Sequence, residues 1–418
     1  MPNRPVSSFP KGFLWGATTS AHQYEGGVHN QWTVWELENA KALASQSSYQ
    51  YDDLAVWPHI KSAAKSPSNY ISGRAVNGYE LYQRDIALAR MMHLNTLRIS
   101  IEWSRIQPEE GSWDAEAINH YRQQFIAMKK SGIEPIVTLF HYTLPVWFAQ
   151  KGGFEKRANV RYFVEYVQHL LQEIGGGMRY IVTLNEPQTY VDMSYVQGKW
   201  PPQVVSKRRA HIVLQNLIYT HRKVAEIIHA ENRRFKVGIA KNYTHIYPGD
   251  DAWLSEQSAV VMRLKENSYL LRQVAKHSDF IGINYKGSQR VYGYRVHNPD
   301  THMSDVDAQM DPDTLKYVLQ EVHDSYHLPI IVTASGIADY KDEYRKWWLA
   351  QSVIALQAAV QNGVTVLGFV VYALTDQFEW DRGFWPRYGL AEVDYTTMKR
   401  IPRPSAVWYA KVVKKLRG

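Results

Sequence analysis

Eight apolar runs of strand length, separated by segments with helical periodicity, constrain the fold of this chain more than any other feature. The runs are rich in β-branched residues and show no regular alternation of apolar and polar residues, which is typical of strands covered on both faces. A strand followed by a helix, repeated eight times, predicts an α/β fold, a parallel (β/α)8 barrel of the TIM type. The predicted strands are residues 13–17, 96–101, 135–140, 180–184, 237–240, 280–284, 330–333 and 366–374.

The segments between these runs predict helices and one long loop. Residues 79–92, 160–174 and 347–361 place apolar side chains on one face of a helix. Residues 36–77, in which Ser and Tyr are scattered, instead suggest a long loop inserted at the mouth of the barrel. No Pro/Gly/Ser-rich linker, internal repeat or low-complexity tract interrupts the chain. We therefore expect residues 1–418 to form a single barrel domain.

Composition narrows the class of protein. The chain contains no Cys, which excludes disulfides and thiolate metal sites but leaves the redox compartment open. Residues 1–8 lack the apolar segment of a signal peptide, and the longest apolar run, 366–374, is too short to span a bilayer. We therefore expect a soluble, cytoplasmic protein. The net charge of +8 is spread along the chain without a nucleic-acid recognition motif, so we expect no nucleic-acid partner.

Polar side chains follow the predicted strands at the points where the strands end. In a parallel barrel these positions face one pocket. Pro187 biases Glu186 away from helix, so we expect the fourth strand to end at Asn185 and Glu186. Amide, imidazole, carboxyl and indole groups together suit a ligand with many hydroxyl groups, which needs both donors and acceptors. The other residues in this set are Gln23, Glu25, Arg98, Glu102, Arg105, His141, Asn284, Lys286, Glu379 and Trp380.

Three motifs in a fixed order give the chain a family resemblance. They are Arg-Ile-Ser-Ile-Glu-Trp-Ser-Arg-Ile at residues 98–106, Thr-Leu-Asn-Glu-Pro at 183–187 and Phe-Glu-Trp at 378–380. With them the chain resembles glycoside hydrolase family 1, the retaining β-glucosidases and β-galactosidases, from residue 9 to residue 409. The resemblance implies a barrel that acts on a small-molecule β-glycoside or sugar, with no metal and no organic cofactor. It leaves the oligomeric state open.

The resemblance also implies roles for individual residues. Glu186 would be the general acid/base, Asn185 would hold the sugar 2-hydroxyl, and Arg98 would lie beside the nucleophile. The remaining sugar hydroxyls would be bound by Gln23, His141, Glu379 and Trp380. Without the resemblance, His141 could be a satisfied core histidine and Trp380 could serve packing alone. A buried Glu379 would need a partner in either case.

The sequence departs from the family at the nucleophile. Retaining hydrolysis needs two carboxyl groups about 5 Å apart, one as acid and one as nucleophile. The family carries its nucleophile after the seventh strand in Thr-Glu-Asn-Gly, whereas this chain has Ala334 in Thr-Ala-Ser-Gly. An alanine side chain cannot attack the anomeric carbon, so we expect hydrolysis to be nearly abolished.

Two further departures cluster around Ala334. Where the family has a Tyr that contacts the nucleophile, this chain has Lys286, which should face inward with Asn284 because side chains alternate along a strand. Where the family has a Trp that forms the platform under the sugar, this chain has Tyr372.

Three explanations of these changes remain open. The chain could be an engineered nucleophile knockout of an ordinary β-glycosidase. It could have a rebuilt site in which Ala334, Tyr372 and Ala373 desolvate Lys286, so that its amine forms a Schiff base in retro-aldolase chemistry. It could also be a relative that binds sugar without cleaving it. Lys286 could instead act only as a counter-ion of Glu186 or Glu379, in which case it would lower the pKa of Glu186.

Overall fold

The computed structural model describes residues 9–297 and 302–417, and at its centre lies a closed barrel of eight parallel strands. Each strand pairs with its neighbours in sequence, and the first strand pairs with the last to close the barrel. The predicted (β/α)8 fold is confirmed. The strands are β1 (Leu14–Thr18), β2 (Thr96–Ser100), β3 (Glu134–Phe140), β4 (Tyr180–Asn185), β5 (Lys236–Pro248), β6 (Phe280–Tyr292), β7 (Ile330–Ser335) and β8 (Val366–Tyr372).

Burial on both faces explains why the barrel strands are apolar throughout. Ile136 and Val182 belong to a cluster made of residues from the strands, which fills the barrel interior. Their neighbours Val137 and Ile181 belong to the large cluster between the strands and the surrounding helices. Alternate side chains therefore enter two different apolar layers, which removes the apolar–polar alternation of a half-exposed strand.

Helices surround the barrel and follow most of the strands. The predicted helix at 160–174 is observed with those bounds, and those at 79–92 and 347–361 differ by at most two residues at either end. No described helix is long and apolar enough to cross a membrane. The longer helices are Gln31–Tyr51, Trp57–Ala64, Gly78–Met91, Ala115–Lys130, Val160–Ile174, Lys207–Glu231, Trp253–Met262, Leu315–Tyr326, Arg345–Gln361 and Pro404–Arg417.

The prediction of a long loop over residues 36–77 is wrong. Helices Gln31–Tyr51 and Trp57–Ala64 occupy most of this segment. Asn30 starts the first helix, because its side chain accepts hydrogen bonds from the backbone of Trp32 and Thr33. The buried face of that helix is made of small and polar residues as well as apolar ones, which hid its periodicity. Residues 1–8, where the sequence predicts no signal peptide, lie outside the described residues.

The predicted lengths of two strands are also wrong. β5 and β6 each run for 13 residues and stay paired beyond the barrel, as far as Pro248 and Val291. In the extension of β5, Tyr243 and Ile246 are buried while the residues between them are partly exposed. The prediction relied on continuous apolar runs, and this extension is covered on one face only. A two-stranded hairpin of Ala391–Asp394 and Lys399–Pro402 precedes the last helix.

Candidate active site

One cavity of about 430 Å³ opens where the C-terminal ends of the barrel strands meet. It collects eleven residues that the sequence singled out, although they are far apart in the chain. Another cavity of about 530 Å³ lies beside helix Trp57–Ala64 and receives none of them. The eleven residues are Gln23, Arg98, His141, Asn185, Glu186, Asn284, Lys286, Ala334, Tyr372, Glu379 and Trp380.

Three other polar residues at the strand ends do not line this cavity. Arg105 forms an ion pair with Glu25, with 2.8 Å between Nε and Oε2. Glu102 accepts hydrogen bonds from the hydroxyl groups of Ser104 and Thr143. Both carboxylates are buried and satisfied by neighbours outside the cavity, so the expectation that they face the common pocket is wrong. They stabilise the loops below the mouth.

Glu186 is held by hydrogen bonds to both of its carboxylate oxygens. It follows β4 directly, with a φ of +41°, and precedes the short helix Pro187–Val191. Its Oε1 accepts from the Asn284 amide at 2.6 Å. Its Oε2 accepts from the hydroxyls of Thr189 at 2.9 Å and Tyr142 at 3.1 Å. The side chain is therefore fixed in one orientation at the cavity.

The charge state of Glu186 is set by competing effects. Burial acts to raise its pKa, but the opposing effects are larger, and the pKa lies below its ordinary value. The opposing effects are the charge of Lys286, the hydrogen bonds from Asn284 and Thr189, and the charge of Lys241. Lys286 Nζ lies 3.8 Å from Glu186 Oε1. Glu186 is consequently ionised at neutral pH. Lys286 lies where a counter-ion of Glu186 would lie, which was one of the alternatives that the sequence allowed.

Lys286→Met is expected to raise the pKa of Glu186, because it removes the largest effect that lowers this pKa. An infrared pH titration of the carboxylate band, taken as the difference from Glu186→Gln, measures the change. Lys223→Met is the matched control, since Lys223 pairs with Glu226 at the surface. A Glu186 pKa that stays the same or falls in Lys286→Met would contradict this assignment.

The explanation in which Lys286 is desolvated does not fit the exposure of its side chain. Its side chain lines the cavity on the same side as Asn284, as the alternation of the strand predicts, but 56% of its surface is exposed. Ala373 is fully buried and does not line the cavity. The environment of Lys286 therefore lacks the desolvation that would make its amine an unusually strong nucleophile.

Ala334 lies in the cavity wall beside the groups that bind Glu186. It is in register with Asn284 of the neighbouring strand β6. Besides Glu186, the carboxyl groups in the described cavity wall are those of Glu379 and Asp381. Glu379 is bonded to Tyr372, and Asp381 accepts from the Trp200 indole at 2.9 Å. Both carboxyl groups are thus engaged by residues other than Ala334 and Glu186.

Arg98 connects the strands below Ala334. Its guanidinium is buried and donates to four neutral oxygens, and no described carboxylate lies within 4.0 Å of it. Burial lowers the pKa of Arg98 to about 10, so it stays charged at neutral pH. The acceptors are the hydroxyl of Thr138 at 3.1 Å, the carbonyl of Thr333 at 3.1 Å, and the amide oxygens of Asn185 at 2.6 Å and Asn284 at 3.2 Å.

The buried Glu379 has the partner that its burial requires. The hydroxyl of Tyr372 lies 2.8 Å from Glu379 Oε1 and 2.9 Å from Oε2. The side-chain amide of Gln23 donates to the same hydroxyl at 3.0 Å. A sugar hydroxyl that binds Glu379 must therefore share the carboxyl group with Tyr372. Trp380 stacks on His22 and His141, with ring centroids 5.4 and 6.0 Å apart.

The free energy of unfolding should depend on pH through Glu379. Burial raises the pKa of Glu379 to about 8 from its ordinary 4.5, so the folded chain holds its proton more tightly than the unfolded chain. Between these values the folded state carries more protons, and its stability falls as the pH rises from about 5 to about 8. The glutamine in Glu379→Gln does not titrate, so this variant should lack the loss of stability that Glu379 causes between these pH values. Urea unfolding across this pH range tests it, and an equally steep loss in Glu379→Gln would contradict it.

Sequence reasoning missed several residues at the site. Thr189 donates to Glu186 from three residues further along, a spacing that brings side chains together on a helix. The buried Lys241 acts electrostatically on Glu186, and its own pKa is lowered to about 8 by burial. Gln309 lines the cavity with no described hydrogen-bond partner for either side-chain polar atom. No local pattern identifies Lys241 or Gln309, since each reaches the site through tertiary structure.

No cluster of three or more potential metal ligands is found in residues 9–297 and 302–417. The chemistry available to the described cavity is that of three carboxyl groups, four cationic side chains and several amides.

Comparisons with known proteins agree with the fold. A solved β-glycosidase from Pyrococcus horikoshii superposes with a TM-score of 0.85 at 30% identity, covering 98% of this chain and 95% of that one. A β-glucosidase from Thermotoga maritima solved with deoxynojirimycin has a TM-score of 0.83 at 22% identity, covering 98% of this chain and 99% of that one, which shows the shared fold.

Sequence relatives extend this similarity. Beta-glucosidase A of Thermotoga maritima is 25% identical over 461 residues, covering 98% of each chain. The chloroplastic galactolipid galactosyltransferase SFR2 of Arabidopsis thaliana is 30% identical over 355 residues, which is 79% of this chain but 57% of that protein. The model of glycosyl hydrolase family 1 matches residues 6–275 and 261–417, nearly the whole chain. The chain belongs to glycosyl hydrolase family 1.

Proposed function

We propose that this chain binds β-glycosides or their sugars in the cavity at the barrel mouth, with Glu186 as its acid/base and without an enzyme nucleophile at position 334. The observation that carries the proposal is the geometry around Glu186. Its carboxylate is held by Asn284, Thr189 and Tyr142 in the wall of the same cavity as Ala334. Hydrolysis through a glycosyl-enzyme intermediate needs a second carboxyl group here.

The cavity wall offers what a sugar needs. Amide groups of Gln23 and Asn185, the imidazole of His141 and the carboxyl group of Glu379 supply donors and acceptors for hydroxyl groups. Trp380 adds an apolar face, and aromatic rings bind the C–H faces of sugars by packing. A gluco- or galacto-configured sugar is the proposed ligand. Glu379 favours unphosphorylated sugars, since its carboxyl group suits a sugar hydroxyl, which can donate and accept hydrogen bonds.

Loss of the nucleophile also affects the remaining acid. A carboxylate about 5 Å from Glu186 would favour the protonated form of Glu186, because like charges disfavour ionisation. This chain instead has the Lys286 ammonium 3.8 Å from Glu186 Oε1. Glu186 is therefore poorly prepared to protonate a glycosidic oxygen unless a proton reaches it together with the substrate.

The amine-catalyst alternative is weaker than sugar binding. It requires an amine activated by desolvation, whereas the side chain of Lys286 is 56% exposed and its Nζ lies 3.8 Å from Glu186 Oε1. Borohydride treatment with a carbonyl substrate distinguishes the two functions, because only a Schiff base at Lys286 leaves a permanent adduct there.

Calorimetry with deoxynojirimycin, the ligand in the structure of the Thermotoga relative, tests the proposal. We expect saturable binding to the parent chain and weaker binding to Trp380→Leu. Trp253→Leu, which changes a tryptophan that is 71% exposed on helix Trp253–Met262, should bind like the parent. In phosphate-free buffer, hydrolysis of an aryl β-glucoside should stay near the rate without protein. Absence of sugar binding, or rapid hydrolysis by the parent, would overturn the proposal.

A further inference from the structure

Arg98 is a buried cation that no described carboxylate contacts directly, although the charge of Glu186 acts on it over a longer distance. Its guanidinium is 1% exposed, and all four of its acceptors are neutral oxygens. A buried charge is costly unless an opposite charge compensates it. One of these acceptors is the carbonyl of Thr333, the residue before Ala334, so the guanidinium lies beside the space that a longer side chain at 334 would fill. An anionic ligand in that space would compensate the charge of Arg98.

The cavity as a whole also favours an anion. Its described lining has four cationic side chains and three carboxyl groups. One of these carboxyl groups, Glu379, is mostly protonated at neutral pH because burial raises its pKa to about 8. Positive charge is therefore in excess in a concave site, which concentrates anions. The cations are Arg98, Lys199, Lys286 and Arg382, and the carboxyl groups are Glu186, Glu379 and Asp381.

An unsatisfied amide provides an independent indication of a polar ligand. The Gln309 side chain lines the cavity, is 6% exposed, and has no described hydrogen-bond partner for its nitrogen or its oxygen. Buried amides are rarely left without partners. A Cβ added to Gly287 would lie 2.5 Å from the backbone oxygen of Gln309, so Gln309 packs directly against the residue that follows Lys286. An oxyanion bound in the cavity would supply an acceptor for this amide.

We propose that inorganic phosphate binds beside Ala334, between Arg98 and Lys286, and attacks the anomeric carbon of a β-glycoside in place of an enzyme carboxylate. The activity would be an inverting phosphorolysis. This inference rests on the proposed function, because it needs a sugar in the same cavity and Glu186 as the acid.

The reaction balances without any further reactant. Dihydrogen phosphate enters the site and gives one proton to the ionised Glu186 carboxylate. A phosphate oxygen then forms a bond to the anomeric carbon from the face opposite the leaving group, while the bond from that carbon to the glycosidic oxygen breaks. Glu186 returns its proton to the departing oxygen. One β-glycoside and one dihydrogen phosphate thus give one α-glycosyl phosphate, as its monoanion, and one alcohol.

The structure suits this order of events. Asn284 is in register with Ala334 on the neighbouring strand, and its side chain donates to Glu186 Oε1 at 2.6 Å, so the acid is held by the residue beside position 334. Inverting enzymes hold a nucleophile and an acid on opposite sides of the scissile bond with room for an incoming molecule between them. The shortening of Glu to Ala provides that room, and the incoming phosphate brings the proton that Glu186 lacks.

The experiment follows nitrophenol release from 4-nitrophenyl β-glucoside and β-galactoside by the full chain. One arm contains phosphate, one contains sulfate at equal ionic strength, and one contains neither. We expect release that saturates with phosphate, no acceleration by sulfate, and an α-glycosyl phosphate identified by proton and phosphorus NMR. Equal acceleration by sulfate, free sugar as the product, or a β-glycosyl phosphate would each overturn the inference.

Variants connect this activity to the residues. Lys286→Met should raise the KM for phosphate about tenfold, the effect of losing one charge-assisted hydrogen bond. Lys223→Met, at the exposed ion pair with Glu226, should leave the KM unchanged. An unaltered KM in Lys286→Met would contradict the phosphate position. Sugar binding without any effect of phosphate would reject this inference and leave the proposed function intact, whereas absence of sugar binding would reject both.

Discussion

Replacing Ala334 with glutamate is expected to turn this chain into a β-glycosidase, with aryl β-glycoside hydrolysis rising about a thousandfold or more over the parent. The new carboxylate would extend from the end of β7 into the space beside Arg98 and Asn284. There it would supply the nucleophile and compensate the buried guanidinium. It would also raise the pKa of Glu186 by placing a like charge nearby, and so restore the proton that the acid needs.

Steady-state hydrolysis of aryl β-glucosides by the parent, Ala334→Glu and Ala334→Gln measures this effect. Ala334→Gln has nearly the same size as Ala334→Glu but cannot act as a nucleophile, so it should remain as slow as the parent. The double variant Ala334→Glu with Glu186→Gln should lose most of the gain for substrates with poor leaving groups, because these depend on the acid. A fully folded Ala334→Glu that stays inactive on both gluco- and galacto-configured substrates would contradict the prediction.

The second large effect is on stability, at Asp376. Asp376→Ala is expected to lower the free energy of unfolding by about 3–5 kcal/mol, because it leaves a buried arginine without its partner. The Asp376 side chain is fully buried and lies 2.6 Å from the guanidinium of Arg403. It also accepts from the backbone of Gly389 at 2.9 Å and lies 3.4 Å from Arg387. These contacts secure the ends of the segment that carries Glu379 and Trp380.

Glu392→Ala is the matched control for Asp376→Ala. Glu392 also pairs with Arg403, at 3.6 Å, but its side chain is 53% exposed. Its removal should cost at most about 1 kcal/mol, as for other exposed ion pairs. Urea unfolding monitored by tryptophan fluorescence gives both values. Equal losses in the two variants would show that burial of the Asp376 pair does not carry the stability of this segment.

The barrel could be predicted from the sequence because its strands are buried on both faces. Continuous apolar runs such as that of β4 then differ clearly from the helices between them. The extensions of β5 and β6 and the helix Gln31–Tyr51 could not be found in this way. They are covered on one side only, or bury small and polar residues, so that tertiary contacts decide their structure.

The membership of the site was easier to predict than its electrostatics. Residues at strand ends share a cavity because parallel strands share a direction, and eleven of the residues expected there line it. Glu25, Glu102 and Arg105 do not, because they pair with neighbours outside the cavity. The charge on Glu186 depends on distances that the sequence does not contain, such as the 3.8 Å to Lys286 Nζ. The bond between Tyr372 and Glu379 likewise joins two residues whose contact arises only from the path of the chain after β8.

The proposed function depends on the lack of an enzyme carboxylate beside Glu186 at position 334. The most direct test is incubation with a 2-deoxy-2-fluoro-β-glucoside that carries a dinitrophenyl leaving group, followed by peptide mass spectrometry. The fluorinated sugar accumulates as a glycosyl-enzyme ester wherever a nucleophilic carboxylate attacks its anomeric carbon. We predict that Ala334→Glu is labelled on the peptide that contains position 334 and that the parent remains unlabelled. A parent chain labelled on a carboxylate of its own would show that the position is already filled, and would contradict the account.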